Sequence, residues 1–311
     1  MIVSTVPEEE GYITFKYPSL PKECRTWYRV VGDLSSGRRP LVTLHGGPGA
    51  GPVYLTTPFD KYAATTGTPV IYYDQIGNGK STHYREKRLD EEFWTVDLFL
   101  AELDNVLRYL KVRDNFDLYG QSWGAMLAGK YASSSYVEGS GLHKIVLGSG
   151  PCRMKDWVKA GEKHVAELPE HLQEAIRKAS DKEDWNNPEY KKAVIEIYKV
   201  HMCRLDPWPQ ILLDAFEQLE SDDTVYMTME GPDEIHVTGS LRDFDLTEAC
   251  KAITVPCLII NGEYDQCDDD CARPWFEGIP KAKWITIPDG SHMVHLEQPK
   301  RYAEFVWNFL K

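Results

Sequence analysis

The chain has 311 residues, 42% hydrophobic and 27% charged, enough to bury a full core in one domain carrying a smaller insertion. Its formal net charge of -13 argues against nucleic acid or an anionic membrane as the main partner, since both demand a basic surface that displaces counterions. Seven cysteines, odd in number and unevenly spread, do not make a disulfide framework, so reduced thiols and a cytoplasmic location are expected.

The start, Met1 to Glu10, lacks a basic region followed by a long apolar run, so no signal peptide is expected. Nowhere do about 18 apolar residues run together, as a membrane span requires. Pro40-Leu41-Val42-Thr43-Leu44 reads as a buried strand opening into the glycine-rich loop His45-Gly46-Gly47-Pro48-Gly49-Ala50-Gly51. Thr68 to Tyr73 has the same character and exits into Asp74-Gln75-Ile76-Gly77-Asn78-Gly79-Lys80-Ser81. Between Phe93 and Leu110 the spacing of Leu98, Leu100, Leu103, Val106, Leu107 and Leu110 predicts a helix. A further apolar run, Asn115 to Tyr119, leads into Gly120-Gln121-Ser122-Trp123-Gly124, and Ala125 to Tyr131 has the pattern of a helix. Lys144 to Gly150 is another strand. Strand and helix in alternation imply a mostly parallel sheet with helices on both faces.

After Pro151 the β-type runs vanish and charged, Trp-containing helical segments take over, such as Pro188 to Val200 and Pro209 to Leu219. Residues 151–240 are therefore expected to form an inserted helical cap, with 1–150 and 241–311 making the core. The sheet pattern resumes at Val255 to Gly262 and Ala282 to Pro288, and a last helix is expected from Pro299 to Leu310.

Ligands of an open α/β sheet gather outside the carboxyl ends of its strands, so the residues that follow each strand carry the chemistry. Gly-x-Ser-x-Gly at such an end reads as a nucleophile elbow, with Ser122 on a strained strand-to-helix turn flanked by residues that must be small. Asp265 follows the strand ending at Ile260, and His292 follows the one ending at Ile287. Ser, Asp, His is the chain order of the α/β-hydrolase triad. A serine hydroxyl needs a base, His292, and the base needs an acid, Asp265, that holds its tautomer. The oxyanion needs two N–H donors: that of Trp123, and one from the glycine-rich loop, Gly47 or its neighbour Gly46. Glu263 competes with Asp265 for the acid, but the position after the turn favours Asp265. His295 is expected to be a local structural histidine and His45 to brace the loop. Cys267-Asp268-Asp269-Asp270-Cys271 mixes soft and hard ligands without a second ligand pair and reads as a solvated loop. No cofactor and no metal is called for.

His45-Gly46-Gly47-Pro48-Gly49, Asp74 to Ser81, Gly120 to Gly124, Gly262-Glu263-Tyr264-Asp265 and Ser291-His292-Met293 together resemble the proline iminopeptidases and related aminopeptidases over most of the chain. Epoxide hydrolases and dehalogenases of the same fold carry Asp at the elbow, where this chain has Ser122. Two segments, His201 to Pro209 and Met229 to Glu234, are similar to those in which the archaeal tricorn-interacting aminopeptidase holds a substrate's free α-amine. The resemblance implies Asp206 and Glu234 as amine anchors. It departs at Asp206, one methylene shorter than the relative's Glu, and at Ile76, where bacterial members have Arg. These implications describe a serine aminopeptidase that releases an N-terminal residue, proline or another small or apolar one, from peptides or amino-acid amides. The alternative is an esterase, lactonase or amidase acting on a specialised metabolite. Small peptide, amide or ester substrates are expected as partners, with oligomeric state left open.

Overall fold

The computed structural model describes residues 6–311. The expectation about the N-terminal segment therefore falls partly on residues outside the described ones. Eight strands form one sheet: β1 (Glu8–Phe15), β2 (Cys24–Val31), β3 (Leu41–Leu44), β4 (Val70–Tyr73), β5 (Phe116–Gln121), β6 (Leu142–Gly148), β7 (Cys257–Gly262) and β8 (Ala282–Ile287). Their spatial order is β1-β2-β4-β3-β5-β6-β7-β8. β2 runs antiparallel to both its neighbours, and every pairing from β4 to β8 is parallel. The α/β, mostly parallel architecture expected from the sequence is thus present. The antiparallel pair β1 and β2 was not anticipated, because the edge strand opens with Glu8-Glu9-Glu10, a charged start that guards a free sheet edge and hides the apolar alternation behind it.

Alternation along the strands sorts the core into two layers. Val42, Leu44, Ile71, Leu118, Ile145 and Ile259 pack toward one face with α2 (Val96–Tyr109), α3 (Trp123–Ala132) and α9 (Asp269–Gly278). Leu41, Val70, Tyr119, Val146 and Leu258 pack toward the other with α1 (Thr56–Thr66) and α11 (Pro299–Leu310). α2 begins where Thr95 accepts a hydrogen bond from Leu98 N, and it buries Leu98, Leu103, Val106 and Leu107 as the spacing requires. Each such leucine contributes about 1.5–3 kcal/mol by leaving water.

Between β6 and β7 lie five helices: α4 (Met154–Glu167), α5 (Glu170–Ser180), α6 (Pro188–His201), α7 (Gln210–Ser221) and α8 (Thr224–Met229). The chain leaves and rejoins the sheet region at one point, where Arg153 pairs with Asp245. Met154 N donates to Phe244 O at 2.9 Å and Leu246 N to Cys152 O at 3.0 Å. This two-stranded stem closes the helical insertion on itself. A short α10 (Val294–Glu297) precedes α11.

Candidate active site

Ser122 stands between β5 and α3 at φ 57, ψ -124, a left-side conformation that a non-glycine residue holds only under strain. Packing over-determines it. A Cβ on Gly120 would lie 2.0 Å from Gly124 O, and one on Gly124 would lie 2.1 Å from Leu44 O. The glycines of the elbow are therefore required by the approach of α3 to β3, and the turn lifts Ser122 out of the strand.

His292 and Asp265 arrive from the ends of β8 and β7. His292 Nδ1 donates to Asp265 Oδ1 at 2.8 Å, with both side chains buried. The acid is held in turn, as its Oδ1 accepts from Cys267 N at 2.9 Å and its Oδ2 from Gly262 N at 3.2 Å. Because Nδ1 carries the proton, Nε2 is the free lone pair, and His292 and Ser122 line one cavity. Burial pulls the imidazole pKa down. The Asp265 charge and hydrogen bond, followed by the charges of Glu234 and Glu297, outweigh burial and leave it above the ordinary histidine value. Glu297 also fixes the histidine loop, its Oε1 accepting from Ser291 Oγ at 2.7 Å and from Arg204 N at 2.6 Å.

The competing residues stand elsewhere. Glu263 is exposed, and its Oε2 accepts from Asp289 N at 3.0 Å. His295 lies buried between the rings of Tyr54 and Tyr302, and burial pushes its pKa down to about 3. His45 donates from Nδ1 to Gly46 O at 3.0 Å and accepts at Nε2 from Gln75 N at 3.2 Å, so it stays neutral and ties two strand-end loops together. Asp268 caps α9 by accepting from the N–H groups of Asp270 and Cys271, while Lys163 of α4 bridges Asp268 and Asp270.

The glycine-rich loop distinguishes its two candidate donors. Gly46 N donates to Tyr54 Oη at 2.7 Å, and Tyr54 Oη donates onward to Gln121 Oε1 at 2.6 Å. Gly46 is thus engaged. Gly47 sits at φ +106 and lines the cavity beside Ser122, and its N–H has no acceptor among the described residues. Trp123 opens α3, so its N–H has no acceptor within the helix. Its indole is anchored by Nε1 donating to Gln75 Oε1 at 2.9 Å.

Two connected spaces flank Ser122. The larger, about 410 Å³ and partly open to solvent, has an apolar wall formed by Leu212, Ala215, Phe216 and Leu219 of α7. The smaller is bounded by Met126, Pro151, Met154 and Trp157, and both Glu230 and Glu234 line it. Ser122, Gly47 and Glu234 line both spaces, and among the described residues no lysine or arginine lines either. Glu234 Oε1 accepts from Tyr226 Oη at 3.0 Å. Burial pushes its pKa up to about 7 against the opposing pull of His292 and Tyr226. Glu230 is buried with Oε1 unpartnered, and burial followed by repulsion from Glu234 raises its pKa well above the carboxylate range.

Asp206 is not brought to this site. α6 ends at His201, Met202 lines the cavity, and the chain then turns outward, leaving Arg204 over the Tyr264 ring and Asp206 exposed. The second acid in the cavity is Glu230, which the sequence reading passed over. Its signal was a lone carboxylate closing the otherwise uncharged run Thr224 to Met229.

A family model described as the alpha/beta hydrolase family matches residues 41–305. A proline iminopeptidase of Thermoplasma volcanium is 33% identical over 284 residues, covering 91% of this chain and 92% of the relative. The chain belongs to the proline iminopeptidase family of α/β hydrolases. Among solved structures, VinJ is 38% identical with a TM-score of 0.89, covering 96% of this chain and 98% of its own. The proline iminopeptidase of Mycobacterium smegmatis is 33% identical with a TM-score of 0.85, covering 96% and 97%. Membership accords with the sheet order and the elbow. In the insertion this chain places Glu230 and Glu234 in the space beside Ser122 and leaves Asp206 exposed.

Proposed function

We propose that this chain is a serine aminopeptidase that releases a small or apolar N-terminal residue, proline among them, from peptides or amino-acid amides. The observation that carries the proposal is the pair Glu230 and Glu234, two carboxyl groups that line the same space as Ser122 without a lysine or arginine beside them among the described residues. An ammonium group supplies the missing charge, and the apolar lining of Met126, Pro151, Met154 and Trp157 suits a small apolar side chain next to it. With the amine held there, the first carbonyl is the one that reaches Ser122.

Ser122 Oγ attacks that carbonyl carbon as His292 Nε2 takes its proton. The oxyanion accepts from the N–H groups of Trp123 and Gly47, each donor contributing about 3 kcal/mol to the transition state. The C–N bond breaks as the imidazolium returns the proton to the leaving amine, and the acyl-enzyme is hydrolysed by water along the same route in reverse. Asp265 holds the tautomer throughout. Buried free thiols and the lack of a helix long and apolar enough to cross a membrane, among the described residues, support a cytoplasmic setting.

Turnover of aminoacyl anilides compared with their N-acetylated forms tests the assignment. Strong preference for the free amine is expected, and equal rates on both would remove the amine clamp. A second assignment, to an esterase, lactonase or amidase of a specialised metabolite, draws support from the apolar wall of α7, which suits a lipophilic leaving portion. Rapid ester cleavage without aminoacyl turnover would favour it.

A further inference from the structure

Outside the residues that line the cavity, two histidines of the insertion lie face to face. His164 of α4 and His201 at the end of α6 stack with ring centroids 3.6 Å apart and planes 19° apart, both buried. Among the described residues neither ring nitrogen of His164 has a well-aligned hydrogen-bond partner. A buried polar group left unpaired is costly, so two such nitrogens on one ring call for an explanation. His201 Nδ1 donates to Tyr264 O at 2.9 Å, which fixes the tautomer and leaves Nε2 as a lone pair. That Nε2 lies 3.7 Å from Glu167 Oε2, one turn along α4 from His164. One ligand atom from each of the three residues can be chosen so that all lie within 4.8 Å of one another.

We propose that His164, Glu167 and His201 form a site for a divalent transition-metal ion of the zinc class, separate from the hydrolytic centre. Two imidazoles and a carboxylate, with a fourth position left to water, match the ligand preferences of Zn²⁺ rather than those of Ca²⁺ or Mg²⁺. The stacked rings must fan apart to point at one ion. His164, held by the stack and at most a poorly aligned approach to the Gln266 backbone, has little to give up in turning. The Tyr264 carbonyl then plays the part of the outer group that orients a metal-bound histidine. The ion would tie α4 to the end of α6, where His201 O already accepts from Gln266 N at 3.2 Å and His292 N at 3.0 Å. Its occupancy therefore stiffens the attachment of the insertion to the loops carrying Asp265 and His292.

The test is titration of the intact protein with Co²⁺ and Zn²⁺ alone, read by visible absorption and by thermal melting. One Co²⁺ per chain, the strong visible bands of a four-coordinate site without sulfur charge transfer, and a melting temperature that climbs with Zn²⁺ are expected. Glu167→Gln, an exposed change at a helix end that leaves the core untouched, should weaken binding at least about tenfold, and His164→Ala should abolish it. Absence of stoichiometric binding overturns the proposal. So does binding that survives in both variants or carries sulfur charge-transfer bands, which would assign the ion to cysteine.

Discussion

Glu234→Gln keeps the shape of a side chain that faces Ser122 and removes its charge. Near pH 7.5 the two acids differ. Burial pushes Glu234 up to about 7, and burial followed by the charge of Glu234 raises Glu230 well above the carboxylate range, so ionisation of one acid holds back that of the other. A substrate α-amine, with an ordinary pKa of about 7.7–8.0, is still largely an ammonium. One hydrogen bond to a charged group is worth about 1.5–3 kcal/mol, so kcat/KM on an aminoacyl anilide should fall about 10- to 150-fold. Glu230→Gln removes the acid whose ionisation is the more strongly opposed and should cost about fivefold or less, the scale of one neutral hydrogen bond. Steady-state kinetics of both variants on free and N-acetylated anilides measure the difference. A loss in Glu234→Gln that is equal on both substrates, or a Glu230→Gln loss as large as that of Glu234→Gln, would refute the assignment of a single charged anchor.

The acidic limb of the pH profile should be steep. Both His292, as base, and Glu234, as anchor, must lose a proton as pH rises, so log kcat/KM should approach a slope of two below pH about 6.5. Glu234→Gln should reduce that slope to one and move the limb to lower pH, because the imidazolium loses a stabilising charge. Ser122→Ala should abolish fluorophosphonate labelling and lower kcat on the order of 10⁵-fold while the melting temperature holds. Asp265→Asn should lower kcat about 10⁴-fold by presenting the wrong tautomer to Ser122, seen as a kcat effect with little change in KM. Tyr54→Phe strips the acceptor from Gly46 N and the donor from Gln121 Oε1, and thermal unfolding should show a loss of about 1–3 kcal/mol.

What the sequence reveals of this site follows the sheet. Ser122, Asp265 and His292 each stand just past an apolar run that is legible as a strand. A parallel sheet fixes where strand ends point, so position along the chain becomes position in space. The insertion has no such frame. Asp206 and Glu230 both lie in helix-to-loop junctions, and which of them turns inward is decided by residues far away in the chain. Glu230 is enclosed with Met126, Pro151 and Trp157, whereas Asp206 is carried outward where the chain leaves Met202. The same holds on a smaller scale in the glycine-rich loop. Composition offers Gly46 and Gly47 as equal donors, and the hydroxyl of Tyr54, eight residues on, takes one of them out of play. Chemistry carried by the sheet can therefore be read in one dimension, while the choice of substrate is set by side chains that only the packing of the insertion brings to Ser122. Substitutions at the α7 wall, Leu212 or Phe216, should accordingly move substrate preference while leaving labelling of Ser122 intact.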